Sequence, residues 1–431
     1  MTATIQPHES TPKLIIKGSK HPLKGIVRAS GAKNAVLPIL AATILCSDIV
    51  TLHNVPQLQD VITLTDLLCS LGAKVEINGE TVIIDPRGID NIRASHELVK
   101  LMRASILVLG PILARFGKAE VSLPGGCAIG SRPVDQHLKG LEALGASISL
   151  ENGYVHAYAP QATAKLKGGL VMFDMVTVTG TENIIMAAVL ACGVSVIENC
   201  AREPEVTDLV KMLVKFGAKI EGIGTEKLTI TGVQKLSGGE YQVMPDRIEI
   251  GTYLCAAVLT HGDITIENCE PEHQEMLINK LRKTGALINV GKDFIHIVKD
   301  SSPILPVNIK TAPYPAFPTD MQAQFMVVNA LANGSSTVVE TIFENRFMHV
   351  EELARMGANI RVEGNTSIIA GVKSLSGAEV SSTDLRASGC LVIAALVAEG
   401  TTTIDNIYHL DRGYAKIEAK LSALGADIKR V

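Results

Sequence analysis

The chain has no tryptophan, and its aromatic residues amount to only 3% of 431 positions. Aromatic platforms for stacking bases are therefore scarce, and a nucleic-acid partner is not expected. Neither sign of charge dominates. Forty Lys and Arg stand against 44 Asp and Glu, a formal net charge of −4, so any anionic ligand must be met by a local cluster of cations rather than by a global field. No apolar run reaches the ~20 residues that cross a bilayer. Ala35–Leu45 and Ala104–Ala114 are short, contain Pro38 or Pro111, and read as buried helices, with no membrane partner implied. Met1–Pro12 is polar and carries no basic-then-apolar leader, which predicts a cytoplasmic protein. The eight cysteines include no C-x-x-C pair and no His at zinc spacing, so neither a metal site nor a disulfide framework is expected. Most read as small core residues.

What the chain does have is abundant Ala, Gly, Val, Ile and Leu, arranged in a sixfold repeat. One phrase recurs as LLCSLGAKVEI, GLEALGASISL, MLVKFGAKIEG, KLRKTGALINV, ELARMGANIRV and KLSALGADIKR. Its glycines, Gly72, Gly145, Gly217, Gly285, Gly357 and Gly425, are spaced by 73, 72, 68, 72 and 68 residues. Each phrase reads as the end of an amphipathic helix, a Gly able to turn left-handed, and an alternating strand. Ahead of it stand a strand and turn, and further upstream an Ala-rich helix apolar on all sides, as in KNAVLPILAATIL and TENIIMAAVLACG. The unit is β-α-β-α-β-β. Three units closing around their apolar helices make a domain, so six end-to-end units give two α/β domains with a boundary near residue 244.

Strand-to-helix junctions offer free N–H groups and a positive dipole end, and the unusual residues gather there. The first-helix junctions carry Lys33 with Asn34, Arg103, Thr177 to Thr179, Asp246 with Arg247, Asp320, and Asp384 with Arg386; the second carry Cys127 with Arg132, Arg202 with Glu203, Arg346, and Asp411 with Arg412. Asp246 and Asp384 are explained as helix caps. Asp320 follows TAPYPAFPTD, whose three prolines stiffen the approach to one carboxylate. Single Arg and Lys residues read as solvated or salt-bridged, but several at equivalent junctions point to anion binding. Cys127 lies in LPGGCAIGSRP, a Gly-rich loop. An ordinary thiol with a pKa of ~8.5 donates a proton at neutral pH, whereas a nearby Arg132 would favour a nucleophilic thiolate; both readings stand, beside that of an incidental loop cysteine. His137 reads as structural, which leaves a cysteine hydrolase without a base.

SGAKNAVLPIL, MRASILVLGP, SLPGGCAIGSRPVDQHLKGLEALGA, AREPE, PDRIEIGTYL, TAPYPAFPTDMQAQF, ENRFMHVEELARMGA, DLRASG and YHLDRGYAKIEAKLSALGA together resemble, in order and over nearly the whole chain, the enolpyruvyl transferases acting on UDP-N-acetylglucosamine. The resemblance implies two inside-out α/β barrels with threefold pseudo-symmetry, one of residues 33–244 and one of residues 1–32 with 245–431, and an active site in the cleft between them. It implies transfer of enolpyruvyl from phosphoenolpyruvate to the 3′-hydroxyl of UDP-N-acetylglucosamine with loss of phosphate, the first committed step of peptidoglycan synthesis. Neither cofactor, metal nor obligate protein partner is implied.

By the same resemblance Lys33, Arg103, Arg132 and Arg412, with Arg386, meet phosphoenolpyruvate. Cys127 is the general acid, the group that can attach to phosphoenolpyruvate and the target of fosfomycin. Asp320 is a general base or an orienting acceptor at the sugar hydroxyl. Asn34, Arg103, Pro133, Val134, Asp135, Thr177, Val178 and Ile342 contact the nucleotide-sugar. Where many members have Ser-Val-Gly this chain has Thr177-Val178-Thr179, and Thr lacks glycine's freedom at positive φ. The related shikimate-pathway transferases lack the PGGC loop, and a silent nucleotide-sugar-binding repeat protein would need none of Cys127, Asp320 or the junction arginines.

Overall fold

A computed structural model describes residues 12–19, 21–124 and 134–431. Among them are six four-stranded sheets of one plan: a parallel pair, then two antiparallel steps. In the first sheet the order is Gly239–Gln242, Val50–His53, Thr81–Asp85, Lys74–Asn78. Six inner helices carry the apolar repeat. Arg247–Leu259 and Gln322–Ala330 are buried at every position, and Lys33–Ala42 at every position but Asn34, as expected of helices without a polar face. Outer helices such as Gln59–Leu71 and Pro204–Lys215 bury one stripe. The six repeat glycines take φ between 86° and 109°, the left-handed turn that ends a helix and releases the next strand.

Buried apolar side chains fall into two clusters. One runs from Ala32 to Met244, and the other joins residues 14–29 to residues 248–428.

The units do not run end to end. Lys24–Arg28, which precedes the inner helix of the first copy, pairs instead with Asp263–Glu267 of the fourth. Gly239–Gln242, which precedes the inner helix of the fourth, pairs with Val50–His53 of the first. Leu14–Lys17 supplies the last strand of the sixth sheet, between Thr401–Asp405 and Asp427–Arg430. The two exchanged segments cross side by side: Ala32 N–H donates to Met244 O at 2.7 Å and Asp246 N–H to Ser30 O at 2.8 Å, around a Gly31–Pro245 bridge. Only glycine fits at 31, because a Cβ there would lie 1.7 Å from the Asn54 carbonyl oxygen.

Among the helices that depart from the plain unit, three bear on the site. The second and fifth inner helices open with 3₁₀ segments, Arg103–Val108 and Thr319–Met321. The sixth outer helix is split into Tyr408–Asp411 and Ile417–Ala423. Each departure carries a residue singled out at a junction. Of the cysteines described, Cys46, Cys200, Cys255, Cys269 and Cys390 are buried, while Cys69 and Cys192 are exposed. No helix among the described residues is long and apolar enough to cross a membrane.

Candidate active site

The crossing strands set the starts of inner helices from both halves against each other, and the charged junction residues meet there. Lys33 opens its helix with its Nζ 2.7 Å from Asp60 Oδ2, and Arg412, from the other half, places Nε 2.8 Å from Asp60 Oδ1. The Asp60 side chain is 2% exposed. Burial pushes the Lys33 ammonium below its ordinary range, with Asp60 opposing the shift and Arg412 and Arg386 adding to it. Burial alone would raise Asp60, but Lys33 and Arg412 override it and hold the carboxyl below its usual value.

A second cluster gathers around Asp320. Arg346 Nη2 lies 2.8 Å from Oδ1 and Arg386 Nη2 lies 2.9 Å from Oδ2, while Asn34 Nδ2, from the first half, donates to Oδ2 at 3.3 Å. Against the upward push of burial, Arg386 and Arg346 keep this carboxyl well below the usual range. With two guanidiniums on its oxygens, the charged form of Asp320 is favoured and it presents an acceptor. Arg386 is buried, yet its Nε and Nη1 have no partner among the described residues. Two buried charged donors without acceptors are costly, and an anionic ligand supplies what they need.

A third pair spans the halves: Arg247 donates to Glu205 at 2.9 and 3.2 Å. Beside it Glu203 Oε1 accepts from Tyr314 N–H at 3.2 Å. Burial raises Glu203, and burial with Glu205 and Glu203 nearby raises Glu182 well above its usual value.

Asp246 and Asp384 cap the helices that follow, accepting from Ile248 and Glu249, and from Arg386 and Ala387. Asp411 is taken up by Arg430 at 2.6 Å, an exposed ion pair outside the clusters. Arg202 reaches Gly224 O on the surface. Asp135 begins its helix exposed, Val134 and Ile342 are half-buried, and Thr177 caps Val178–Ala188. None of Asp135, Thr177 or Val178 touches the two carboxylate clusters through a described bond. Thr179 lies inside that helix and is not among the residues with positive φ, so glycine's freedom is not required there; its hydroxyl meets His137 Nε2 at 3.3 Å. Burial, with Arg103 nearby, brings His137 down to about 4. Its Nδ1 lies 2.9 Å from Asn183 Nδ2, so it is a neutral core residue. Cys127, Arg132 and Pro133 lie outside the described residues.

Glu270, Glu272 and His273 bring ligand atoms within 4.8 Å of one another, but His273 pairs with Glu270 at 3.6 Å, an ordinary reading for surface acids.

Asp60 and Glu205 were not singled out in the sequence, although both stand twelve residues ahead of a repeat glycine, Gly72 and Gly217. The signal is their place on the buried stripe: Leu64, Leu67, Leu68 and Leu71 follow Asp60 at helical spacing, and Leu209, Met212 and Leu213 follow Glu205, all at 0% exposure. A carboxylate on a core stripe requires a cation.

A family model described as EPSP synthase (3-phosphoshikimate 1-carboxyvinyltransferase) matches residues 17–421. A UDP-N-acetylglucosamine 1-carboxyvinyltransferase of Acinetobacter guillouiae is 59% identical over 97% of this chain and 99% of its own length. The enolpyruvyl transferase NikO from Streptomyces tendae superposes with a TM-score of 0.86 at 26% identity, over 98% of this chain and 99% of that one. An EPSP synthase from Acinetobacter baumannii shares the fold alone, with a TM-score of 0.75 at 18% identity over 98% of this chain and 100% of its own. With the fold and nearly the full length in common, this chain belongs to the enolpyruvyl transferase family.

Proposed function

We propose that the protein transfers enolpyruvyl from phosphoenolpyruvate to the 3′-hydroxyl of UDP-N-acetylglucosamine, in the cytoplasm, as the committing step of peptidoglycan synthesis. The observation that carries this reading is the Asp320 cluster: an ionised acceptor drawn from one half, reached by Asn34 of the other, beside buried Arg386 donors that lack a partner. The 59% identity to a relative named for UDP-N-acetylglucosamine favours that acceptor over shikimate 3-phosphate.

Phosphoenolpyruvate carries a phosphate and a carboxylate, which convergent Arg forks and a Lys point charge recognise well. Lys33, Arg103, Arg132, Arg386 and Arg412 take that task. Asn34, Arg103, Pro133, Val134, Asp135, Thr177, Val178 and Ile342 line the nucleotide-sugar, and Asp320 accepts from its 3′-hydroxyl. The hydroxyl oxygen bonds to C2 of phosphoenolpyruvate as its proton passes to Asp320, while C3 gains the proton of the Cys127 thiol. The tetrahedral intermediate then returns a C3 proton to that thiolate as the bond from C2 to the phosphate oxygen breaks, and the departing phosphate takes up the proton held by Asp320, leaving the enol ether. Addition and elimination cancel in electrons, so the reaction needs no redox cofactor. Residues 33–244 act as one domain and residues 1–32 with 245–431 as the other, meeting at the crossing strands.

Phosphate release is expected only when both substrates are supplied; release with shikimate 3-phosphate in place of the nucleotide-sugar overturns the acceptor. Cys127→Ser is expected to impair turnover and to abolish covalent labelling by fosfomycin, read by intact-protein mass. Unchanged inactivation of that variant shows that the thiol is not the target.

A further inference from the structure

Four of the six units turn at the end of the strand after the inner helix in the same way. Asn54, Asn199, Asn268 and Asn406 take φ of 57°, 59°, 59° and 53°. Each donates its Nδ2 to a carbonyl just beyond the neighbouring parallel strand: Val243, Phe173, Ala29 and Ser382. This is a structural clip that joins the end of one strand to its parallel neighbour in four of the six units. In the fifth unit the position belongs to Glu340, directly after the strand Ser335–Val339, and Glu340 is absent from the positive-φ residues.

A carboxylate in place of an amide inverts the clip. It only accepts, and four donors converge on it. Thr311 Oγ1, at the point where the other units offer their carbonyl, donates to Oε1 at 2.8 Å. Ile342 N–H and Phe343 N–H donate to the same oxygen at 2.8 and 3.3 Å. Thr319 Oγ1 donates to Oε2 at 2.8 Å. Because the one hydroxyl proton of Thr319 is spent on Glu340, its lone pairs face Arg346 Nη1 at 3.1 Å, and the other arm of Arg346 holds Asp320. Glu340 is 2% exposed and lies between the turn that carries Asp320 and the turn that carries Ile342.

We infer that Glu340 is a positioning residue: it locks the Thr319–Asp320 turn to the Ile342–Phe343 turn and so sets the nucleotide-sugar subsite, without touching the reacting atoms itself. This rests on the reading of Asp320 and Ile342 as nucleotide-sugar contacts. A structural clip alone would be served by the Asn that four of the units carry.

Two variants test it. Glu340→Asn installs the residue of the other units, and Glu340→Gln keeps the shape but presents an amide donor to one set of donors. Calorimetric Kd for UDP-N-acetylglucosamine is expected to rise by about tenfold or more in both, in keeping with the loss of charge-assisted hydrogen bonds, while KM for phosphoenolpyruvate moves less than about threefold and circular dichroism stays that of the wild type. Thr319→Val, which cuts the same chain one residue further on, is expected to repeat the Kd change. An unchanged Kd in the folded variants, an equal loss for both substrates, or failure of both Glu340 variants to fold overturns the positioning role. A wild-type protein that does not bind UDP-N-acetylglucosamine at all would instead refute the function on which the inference rests.

Discussion

Asp320→Asn is expected to lower kcat by about a thousandfold, within the ~10²–10⁴ range of a positioned proton acceptor. The carboxylate takes Arg346 and Arg386 on its two oxygens and Asn34 from the other half. An amide in its place turns an NH2 toward one of those guanidiniums, so a donor faces a donor, and it has no charge to draw the sugar hydroxyl's proton. Because Arg386 and Arg346 hold Asp320 well below the usual carboxylate range, its protonation does not produce the acid limb of the pH profile near neutrality, and that limb is expected to be the same in wild type and variant. Removing one charge from a buried pair costs ~3–5 kcal/mol of stability, so kcat is compared at a temperature where circular dichroism shows the variant folded. A kcat within about tenfold of wild type, a difference of only ~1.4 kcal/mol, would remove Asp320 from the chemistry.

The second large effect is expected at a residue that no junction motif marks. Asp60→Asn leaves Lys33 and Arg412 facing each other without the carboxylate that joins them. Burial already pulls Lys33 down, and Asp60 is the group that opposes it. In the variant burial, Arg412 and Arg386 act unopposed, so Lys33 gives up its proton at lower pH. The kcat/KM for phosphoenolpyruvate is expected to fall by about a hundredfold, equivalent to ~2.7 kcal/mol, and its alkaline limb to move toward lower pH. The stability difference has its own sign. The folded Asp60 carboxyl sits below its unfolded value, so its contribution is fully present above that unfolded value, near ~3.9, and is lost as pH falls through the lower, folded one. Wild type and variant therefore converge in stability under acid and diverge toward neutrality. An alkaline limb that stays in place would show that Asp60 does not govern Lys33.

These two residues mark the line between what was legible in the sequence and what was not. The repeat was legible because one phrase occurs six times, and its glycines, capped helices and Ala-rich inner helices follow from local rules that hold wherever the residues sit. Asp246 and Asp384 were legible as caps for the same reason. The exchange of Lys24–Arg28 and Gly239–Gln242 was not, since each strand pairs with a segment more than 180 residues away and a short strand carries no address. Asp320 was marked by its proline approach, but the arginines that hold it stand 26 and 66 residues further on, Arg386 in the next unit. Asp60 and Glu205 were visible only as charges on an apolar stripe, and Glu340 only by comparing turns whose equivalence the sheets define. In each case the missing information was the partner, which is a tertiary fact.

The most direct measurement follows the label in [2-13C]phosphoenolpyruvate incubated with the protein and UDP-N-acetylglucosamine. The account predicts that the labelled carbon appears as an enol ether with a long-range coupling to the sugar H3′, with one phosphate released for each ether formed. Label that remains in phosphoenolpyruvate or ends in pyruvate, or that couples to another sugar position, would contradict it.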